Sequence, residues 1–480
     1  MKERFVDRED ELALLERAWA SGKAELFVVY GRRRVGKTAL LRRFSQGKPG
    51  AYWVAAISSD ATLRRSFTQA LEGEDAAFAY DDWHGAFLAA QGDPDARRLL
   101  VIDEYPYLAG AVPGVGTVLQ AVWDEVLERS RVMVVLCGSH IGMMEREAVS
   151  YRAPLFGRRT GQIRLGPLPT WGVAAMLPGY DAAAVVETVA TLGGVPAYLQ
   201  MLDQDRSVIE NLERLTLDPN GVLHQEPVFL LREELREPRS YFALLQAIAA
   251  GNTRLNEIAQ AAGVERASAS RYLATLVDLG VVERTVPVTE RHPEKSRKGI
   301  YVISDGFLRF WFRFVAPFGS LLATGQTAAV RSRLQRDLAG FVSPAFEQLS
   351  REWVVRAGAS TALPLSPRAV GRWWTRQAEI DVVALGDEGV LLGECKWSTR
   401  PVGLDVLDAL RVRGEVFRGE TGMAAHEPVW YALFSRSGFT PDALAEAKAE
   451  RVLLVTADEV IAGGPAPAST TAPAAEGRRP

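Results

Sequence analysis

Apolar positions along the chain follow two rhythms, and changes of rhythm divide it. In the first third, short unbroken apolar runs alternate with stretches of helical spacing. Leu26–Tyr30, Ala51–Ile57, Leu99–Ile102 and Val132–Cys137 are such runs, and each reads as a buried strand. Ahead of them Leu12, Leu15 and Trp19 recur at helical spacing, and residues 61–90 read as helical. Strands alternating with helices predict an α/β layer around a parallel sheet. Residues 166–235 read as mainly helical, with Gly193-Gly194-Val195-Pro196 as a turn and hinge candidate. Three helices follow, Ser240–Ala250, Arg254–Ala262 and Arg266–Leu279, then strands Val281–Val288 and Ile300–Ser304. Phe307–Phe318 is apolar but carries Arg309 and Arg313, as a buried amphipathic helix would. Phe341–Ala357 reads as a helix. Ile380–Leu385 and Val390–Trp397 read as strands of a hairpin around residues 386–389. Residues 463–480, rich in Pro, Ala, Ser and Thr, read as a disordered tail.

Composition narrows this picture. The 480 residues suit about three domains. A net charge of −3 gives no global field for nucleic acid, so such binding needs a local basic patch. Cys137 and Cys395 lie far apart inside apolar runs and read as buried thiols of a reducing compartment. The charged start carries no signal peptide, and no run approaches the roughly 20 apolar residues of a membrane span. The expectation is a cytoplasmic protein with no membrane partner.

Chemistry enters at Gly31–Thr38, GRRRVGKT, which fits G-x-x-x-x-G-K-[ST] between a strand and a helix. The glycines let successive N–H groups turn toward phosphate oxygens, and the helix start favours an anion. Gly31, Arg32, Arg33, Arg34, Val35, Gly36, Lys37 and Thr38 are therefore the expected ATP cradle, with Lys37 on the phosphates and Thr38 on Mg²⁺. Asp103 and Glu104 close an apolar strand in a Walker B pattern, Asp103 for the metal and Glu104 as general base. Ser139, at the tip of the next strand, is the expected phosphate sensor; His140 is a second candidate or a structural residue. Arg158 and Arg159 offer either a charge-stabilising arginine at ATP or a salt bridge.

The helices of 240–304 with their basic loop, Arg291, His292, Lys295, Arg297 and Lys298, describe a winged helix. Arg266, Ser268, Ser270 and Arg271 on its third helix, with Lys295, Arg297 and Lys298, are the expected DNA contacts; docking of a protein is the alternative. In the last hairpin, pairing Leu385 with Val390 sets Asp381 opposite Glu394 and Glu379 opposite Lys396, about 5 Å apart. Two carboxylates so close call for a cation. Asp381 and Glu394, with Glu347 on the helix Phe341–Ala357 as a further metal ligand and Lys396 beside the water, would form a Mg²⁺-dependent phosphodiesterase site. The alternative is a surface hairpin with a Glu379–Lys396 ion pair.

Taken together, FVDRE (5–9), GRRRVGKT, LLVIDEYPYL (99–108), CGSHIGMM (137–144), APLFGRRTG (153–161), GGVPAYL (193–199), LRFWFRF (308–314) and EIDVVAL with GECKW (379–397) carry a resemblance. The chain resembles archaeal and bacterial ATPases of the STAND/AAA+-like branch whose C-terminal region is a domain of unknown function of PD-(D/E)xK nuclease type. The resemblance implies that FVDRE packs near the nucleotide base, that GGxP belongs to a lid, and that a winged helix follows. This sequence departs from the family at Asp7, where Gly is usual, and at His140, where Ser is usual.

The expected architecture is multidomain α/β: a P-loop ATPase core at 1–165, a helical lid at 166–235 and a winged helix at 236–305. A helical linker follows at 306–340, then a nuclease-like domain at 341–462 and a tail at 463–480. The expected function is ATP hydrolysis, with ATP and Mg²⁺ as cofactors, coupled to DNA binding and to DNA cleavage. The alternative is a nucleotide-gated regulator of DNA or protein binding that does not cut, and a scaffold whose ATPase drives assembly is a third reading. A nucleotide-dependent homo-oligomer is the expected self-association.

Overall fold

In the computed structural model, residues 5–93, 95–235, 238–360, 362–450 and 452–462 are described. The tail expected at 463–480 lies outside the described residues. The chain forms two compact units: Met1–Leu168 with Val195–Met201 and Phe229–Arg236, and Pro169–Gly194 with Leu202–Val228 and Glu237–Pro480. The range 166–235, read as one lid, is thus divided between them, and one crossing falls at Gly194/Val195, inside the glycine turn.

The first unit is built on five parallel strands, β1 (Glu25–Tyr30), β2 (Gly50–Val54), β3 (Arg98–Asp103), β4 (Val132–Gly138) and β5 (Gly161–Arg164), in the order β2-β3-β4-β1-β5. β1, β3 and β4 are buried almost end to end, because helices cover both faces of such a sheet. Leu15, Phe27, Val29, Leu40, Phe44, Met133 and Val135 share one core, so the leading helix Glu9–Ala20 and the P-loop helix Lys37–Ser45 pack on the same sheet. β5 was not foreseen: Gly161-Gln162-Ile163-Arg164 has one buried residue and no apolar run. Ala51–Ile57 is a strand only as far as Val54.

In the second unit, helices Pro238–Ala249, Leu255–Ala261 and Arg266–Asp278 precede an antiparallel pair, β6 (Val282–Thr285) and β7 (Ile300–Ile303), as a winged helix requires. β6 stops short of the predicted Val288 because Pro287 has no N–H to extend the ladder. Gly306–Phe314 is a helix with six buried residues.

Thr327–Ala359 is one 33-residue helix with Pro344 inside it. The predicted start at Phe341, and with it the 340/341 boundary, therefore falls within a single element. Gly340 and Pro344 resemble start signals, since Pro is favoured in a first turn, but Val330, Leu334, Leu338, Val342 and Phe346 keep the apolar spacing across them.

The last sheet has five strands, β8 (Ala369–Trp374), β9 (Glu379–Leu385), β10 (Val390–Lys396), β11 (Val429–Ser435) and β12 (Val452–Thr456), in the order β12-β11-β10-β9-β8. β8-β9-β10 are antiparallel and β10-β11-β12 parallel. The register Leu385 to Val390 is the one expected. An added Cβ at Gly393 would meet Phe434, which meets Trp353 of the long helix edge-on, while Leu392 reaches Gly414 of the helix Leu404–Thr421. Successive residues point to opposite faces, so the two helices cover opposite faces of β10.

Candidate functional site

β1 ends where the phosphate loop begins, at the carboxyl edge of the sheet, the usual place for a ligand in such a layer. The loop's bends are fixed by residue type. Gly31 has φ 152°, and a Cβ there would lie 2.2 Å from the Leu165 carbonyl oxygen. Gly36 has φ 99° and opens the helix Lys37–Ser45. Arg34 also takes a left-handed conformation.

Lys37 is buried, and its Nζ donates to the carbonyls of Gly31 at 2.8 Å and Arg32 at 2.9 Å. Burial lowers its pKa; Cys137, Glu104 and Asp103 oppose that. Asp103 is 1% exposed and collects donors. Thr38 Oγ1 at 2.9 Å and Tyr52 Oη at 2.7 Å both donate to Oδ2, and the Glu104 N–H donates to Oδ1 at 3.0 Å. Burial and the Asp103 charge push the Tyr52 and Cys137 groups up, so both stay protonated. Tyr52 was not foreseen; on the neighbouring strand it looked like one more apolar residue.

Glu104 lies beyond the end of β3, with φ 54°. A left-handed glutamate is strained by about 1 kcal/mol or more, and such strain gathers at functional sites. Its carboxylate accepts from the Ser139 hydroxyl at 3.0 and 2.7 Å. Ser139, at the tip of β4, is thus brought to the predicted base. His140 Nδ1 accepts from the Met143 N–H and lies 3.3 Å from Glu234. Glu234 also accepts from the N–H of Ile141 at 3.0 Å. Beside it Glu233 pairs with Arg33 at 2.5 Å, and Arg33 donates to Tyr107 Oη at 2.9 Å. Arg32 reaches Tyr198 Oη at 3.5 Å and Arg34 lies over the Tyr198 ring. A cavity of about 390 Å³ opens among Arg33, Glu104, Tyr107, Ser139, His140 and Glu233.

Arg158 departs from the ATP assignment. Its Nε and Nη2 hold Asp124 at 2.9 and 2.7 Å, a two-point ion pair that occupies the guanidinium. Arg159 lies over the Phe156 ring. FVDRE takes on a physical sense. Asp7 has φ 54°, a conformation open to Gly and tolerated by Asp. Arg8 is buried and donates to the carbonyls of Gly166 at 2.6 Å and Val35 at 3.3 Å, so it braces the loop from behind.

On the winged helix, Arg266, Ser270 and Arg271 are exposed and Ser268 is half-buried, accepting from Arg271 at 3.2 Å. Lys295 and Arg297 are exposed, Lys298 pairs with Glu290, and Arg284 braces the wing through the Pro293 and Ser296 carbonyls.

The C-terminal hairpin keeps the expected register but not the Glu379–Lys396 ion pair of its alternative reading. Glu379 pairs with Arg372 of β8 rather than with Lys396, because β8 is its neighbour. Lys396 turns to Glu394 at 2.7 Å, and Arg413 takes the other Glu394 oxygen at 2.9 Å. Asp381 Oδ2 accepts the Cys395 N–H at 3.0 Å, and Arg351 Nη1 donates to the Asp381 carbonyl at 2.8 Å. Burial, then Glu347 and Glu394, hold the Asp381 carboxyl up to about 7; burial also raises Glu347. Among the described residues no three His, Cys, Asp or Glu side chains form a group that could hold a metal ion. The predicted Glu347, Asp381 and Glu394 set is thus not assembled as ligands: Lys396 and Arg413 supply at Glu394 the positive charge assigned to a cation. Nor, among the described residues, is any helix long and apolar enough to cross a membrane.

Comparison with known proteins adds relatives. A family described as an ATPase domain predominantly from Archaea matches residues 5–202. An IclR helix-turn-helix domain matches residues 241–285, and a family of archaeal and bacterial proteins of unknown function matches 311–407. An uncharacterized protein of Methanocaldococcus jannaschii is 31% identical over 395 residues, 82% of this chain and 87% of that one. An uncharacterized ATP-binding protein of the same organism is 54% identical over 44 residues, 9% of this chain and 75% of its own length. Among solved structures, a Walker-type ATPase of Pyrococcus abyssi is 20% identical with a TM-score of 0.47, covering 65% of this chain and 97% of its own.

Proposed function

This chain belongs to the archaeal-type ATPase family that joins such an ATPase domain to the C-terminal region of unknown function, and from that membership we propose that it hydrolyses ATP and lets the nucleotide state set how its winged helix holds DNA. The supporting observation is the convergence of Lys37, Thr38, Asp103, Glu104 and Ser139 at the ends of the adjacent strands β1, β4 and β3. These donors suit a triphosphate with its cation: a buried ammonium resting on backbone carbonyls, and a hydroxyl on a buried carboxylate. Gly31 to Thr38 would hold ATP, and Thr38 and Asp103 would hold Mg²⁺, which when bound neutralises charge on phosphate oxygens. Lys37 would exchange the Gly31 and Arg32 carbonyls for phosphate oxygens. Glu104 would take a proton from the attacking water at the carboxylate that Ser139 holds. Glu233 and Glu234 fasten the helix Glu226–Glu234 to the P-loop and to the residues after β4. That helix leads along the chain to the winged helix and would carry the signal. There Arg266, Ser268, Ser270, Arg271, Lys295, Arg297 and Lys298 would meet phosphates and base edges.

Mg²⁺-dependent cleavage at the C-terminal hairpin is a second reading, favoured by the Leu385–Val390 register that sets Asp381 opposite Glu394. The Arg413 contact on the same carboxylate favours a DNA-binding regulator that does not cut.

The test is phosphate release together with duplex DNA affinity in ATP, in ADP and without nucleotide. Wild type should turn over ATP and change its DNA affinity with nucleotide. Lys37→Ala should do neither. Unchanged turnover in the variant, or DNA affinity indifferent to nucleotide in wild type, would sink the proposal.

A further inference from the structure

A cleft of about 1160 Å³ lies within the second unit, walled by the wing strands, the helix Gly306–Phe314, the helix Thr327–Ala359 and the edge strand β8. It is a framed opening. The Val288 N–H donates to the Arg372 carbonyl at 3.0 Å, and an added Cβ at Gly371 would meet Val288 at 3.0 Å, so wing and sheet edge are joined at close range. Its volume exceeds the roughly 300–1,000 Å³ of small-molecule sites, which points to an extended ligand.

The lining is basic although the chain is not. Arg284, Arg309, Arg313, Arg336, Arg351 and Arg372 line it against Glu283, Asp337 and Glu352, in a chain of net charge −3. Two of these guanidinium groups lie deep: Arg309 bonds the Phe341 carbonyl at 3.2 Å, and Arg351 bonds the Asp381 carbonyl. Burial draws the pKa of Arg309 down to about 10. The Nε atoms of Arg309 and Arg372 are buried without a hydrogen-bond partner among the described residues. Arg372 pairs with Glu379, whereas Arg309 rests on a carbonyl and over the Phe341 ring, and a buried cation so held is costly until an anion pairs with it. Half-buried Tyr301 and Phe341 stand on the same walls, the Phe341 ring with the Arg309 guanidinium over it at 4.5 Å. A basic groove with aromatic faces is the build of a site for unpaired strands: every base has a face to stack, whereas a duplex keeps its bases stacked inside. An acidic peptide would use the arginines and leave the rings idle.

We propose that this cleft binds a single-stranded nucleic-acid segment, with its phosphates on the arginines and its bases against Tyr301 and the Arg309 guanidinium that lies over Phe341. The proposal rests on the DNA-binding reading above and adds a second contact surface, away from the recognition helix.

The experiment uses the full chain, a fluorescent oligothymidylate and a fluorescent duplex, titrated across a salt series. Arg313→Ala with Arg336→Ala should weaken oligothymidylate binding roughly tenfold and flatten its salt dependence by about 1.4, from 0.7 per phosphate contact on single strands. Duplex binding and ATP turnover should hold, and the paired Lys substitutions should restore oligothymidylate binding. Arg284 is left in place because it braces the wing. Oligothymidylate binding that survives the alanine pair, or duplex binding by wild type without oligothymidylate binding, would overturn the cleft and leave the DNA reading standing. Polyglutamate displacing the oligonucleotide equally well at matched charge would also overturn it, in favour of an acidic protein. Wild type that holds the oligothymidylate but not the duplex would strike the recognition-helix reading and spare the cleft.

Discussion

Asp381→Asn should make the protein more stable, and only above mildly acidic pH. Asp381 is mostly buried next to Glu347 and Glu394, and its carboxyl is held up to about 7 against an ordinary 3.8. At 1.36 kcal/mol per pH unit, keeping it ionised in the fold costs roughly 4 kcal/mol. Because Glu347 and Glu394 share the repulsion, about 2–4 kcal/mol is the expected gain. The sign follows from the raised value. The fold favours the protonated carboxyl, so no cost exists below about pH 4; it grows as pH rises toward 7 and is constant beyond. Asparagine keeps an oxygen to accept the Cys395 N–H, and the Arg351 bond goes to a backbone carbonyl that the substitution leaves alone. The assay is urea unfolding with a chelator present, followed by tryptophan fluorescence, to which Trp353, Trp373 and Trp397 contribute, at pH 4 and pH 8. The variants should coincide at pH 4 and separate at pH 8. An asparagine variant no more stable at pH 8, or equally advantaged at both, would refute the reasoning. Mg²⁺ that stabilises wild type but not the variant would instead return the acids to the metal-binding role assigned from sequence.

Glu104→Gln should keep nucleotide binding and lower ATP turnover by about 10²–10⁴-fold; wild-type turnover would mean that another residue activates the water. Neutralising Lys295, Arg297 and Lys298 together should weaken duplex binding and flatten its salt dependence by about 0.9 per lost phosphate contact. An unaltered slope would assign the wing to a protein partner.

Much of the first unit was legible because its chemistry lies in backbone and spacing. GRRRVGKT needs its glycines at φ values that other residues avoid, and its strand is apolar on both faces. Side-chain partners across the fold were less legible. Glu379 was matched to Lys396 because β8 was unseen: Ala-Val-Gly-Arg-Trp-Trp mixes faces and carries a register shift between Gly371 and Trp373. Arg158 takes the salt-bridge alternative with Asp124, whose helix sequence spacing could not bring beside it. Nothing in the spacing of residues 166–235 singles out Glu233 and Glu234, yet one holds Arg33 and the other the Ile141 N–H. The expected separation of linker and C-terminal helix failed for a plainer reason. One helix can run through a proline when the apolar stripe continues on either side, as Leu338 and Val342 show.

The first unit, Met1–Leu168 with Val195–Met201 and Phe229–Arg236, is made from three separated pieces of chain, and this sets an order of birth. A ribosome that has released residue 168 has delivered all five strands of the first sheet and the whole phosphate loop. It has not yet released Tyr198, on which Arg32 and Arg34 rest, nor Glu233, which clasps Arg33. The nascent site is therefore unfinished until translation passes residue 234. A fragment ending between 168 and 234 would carry every nucleotide-binding motif in its sequence and still lack part of the frame that holds those motifs in place.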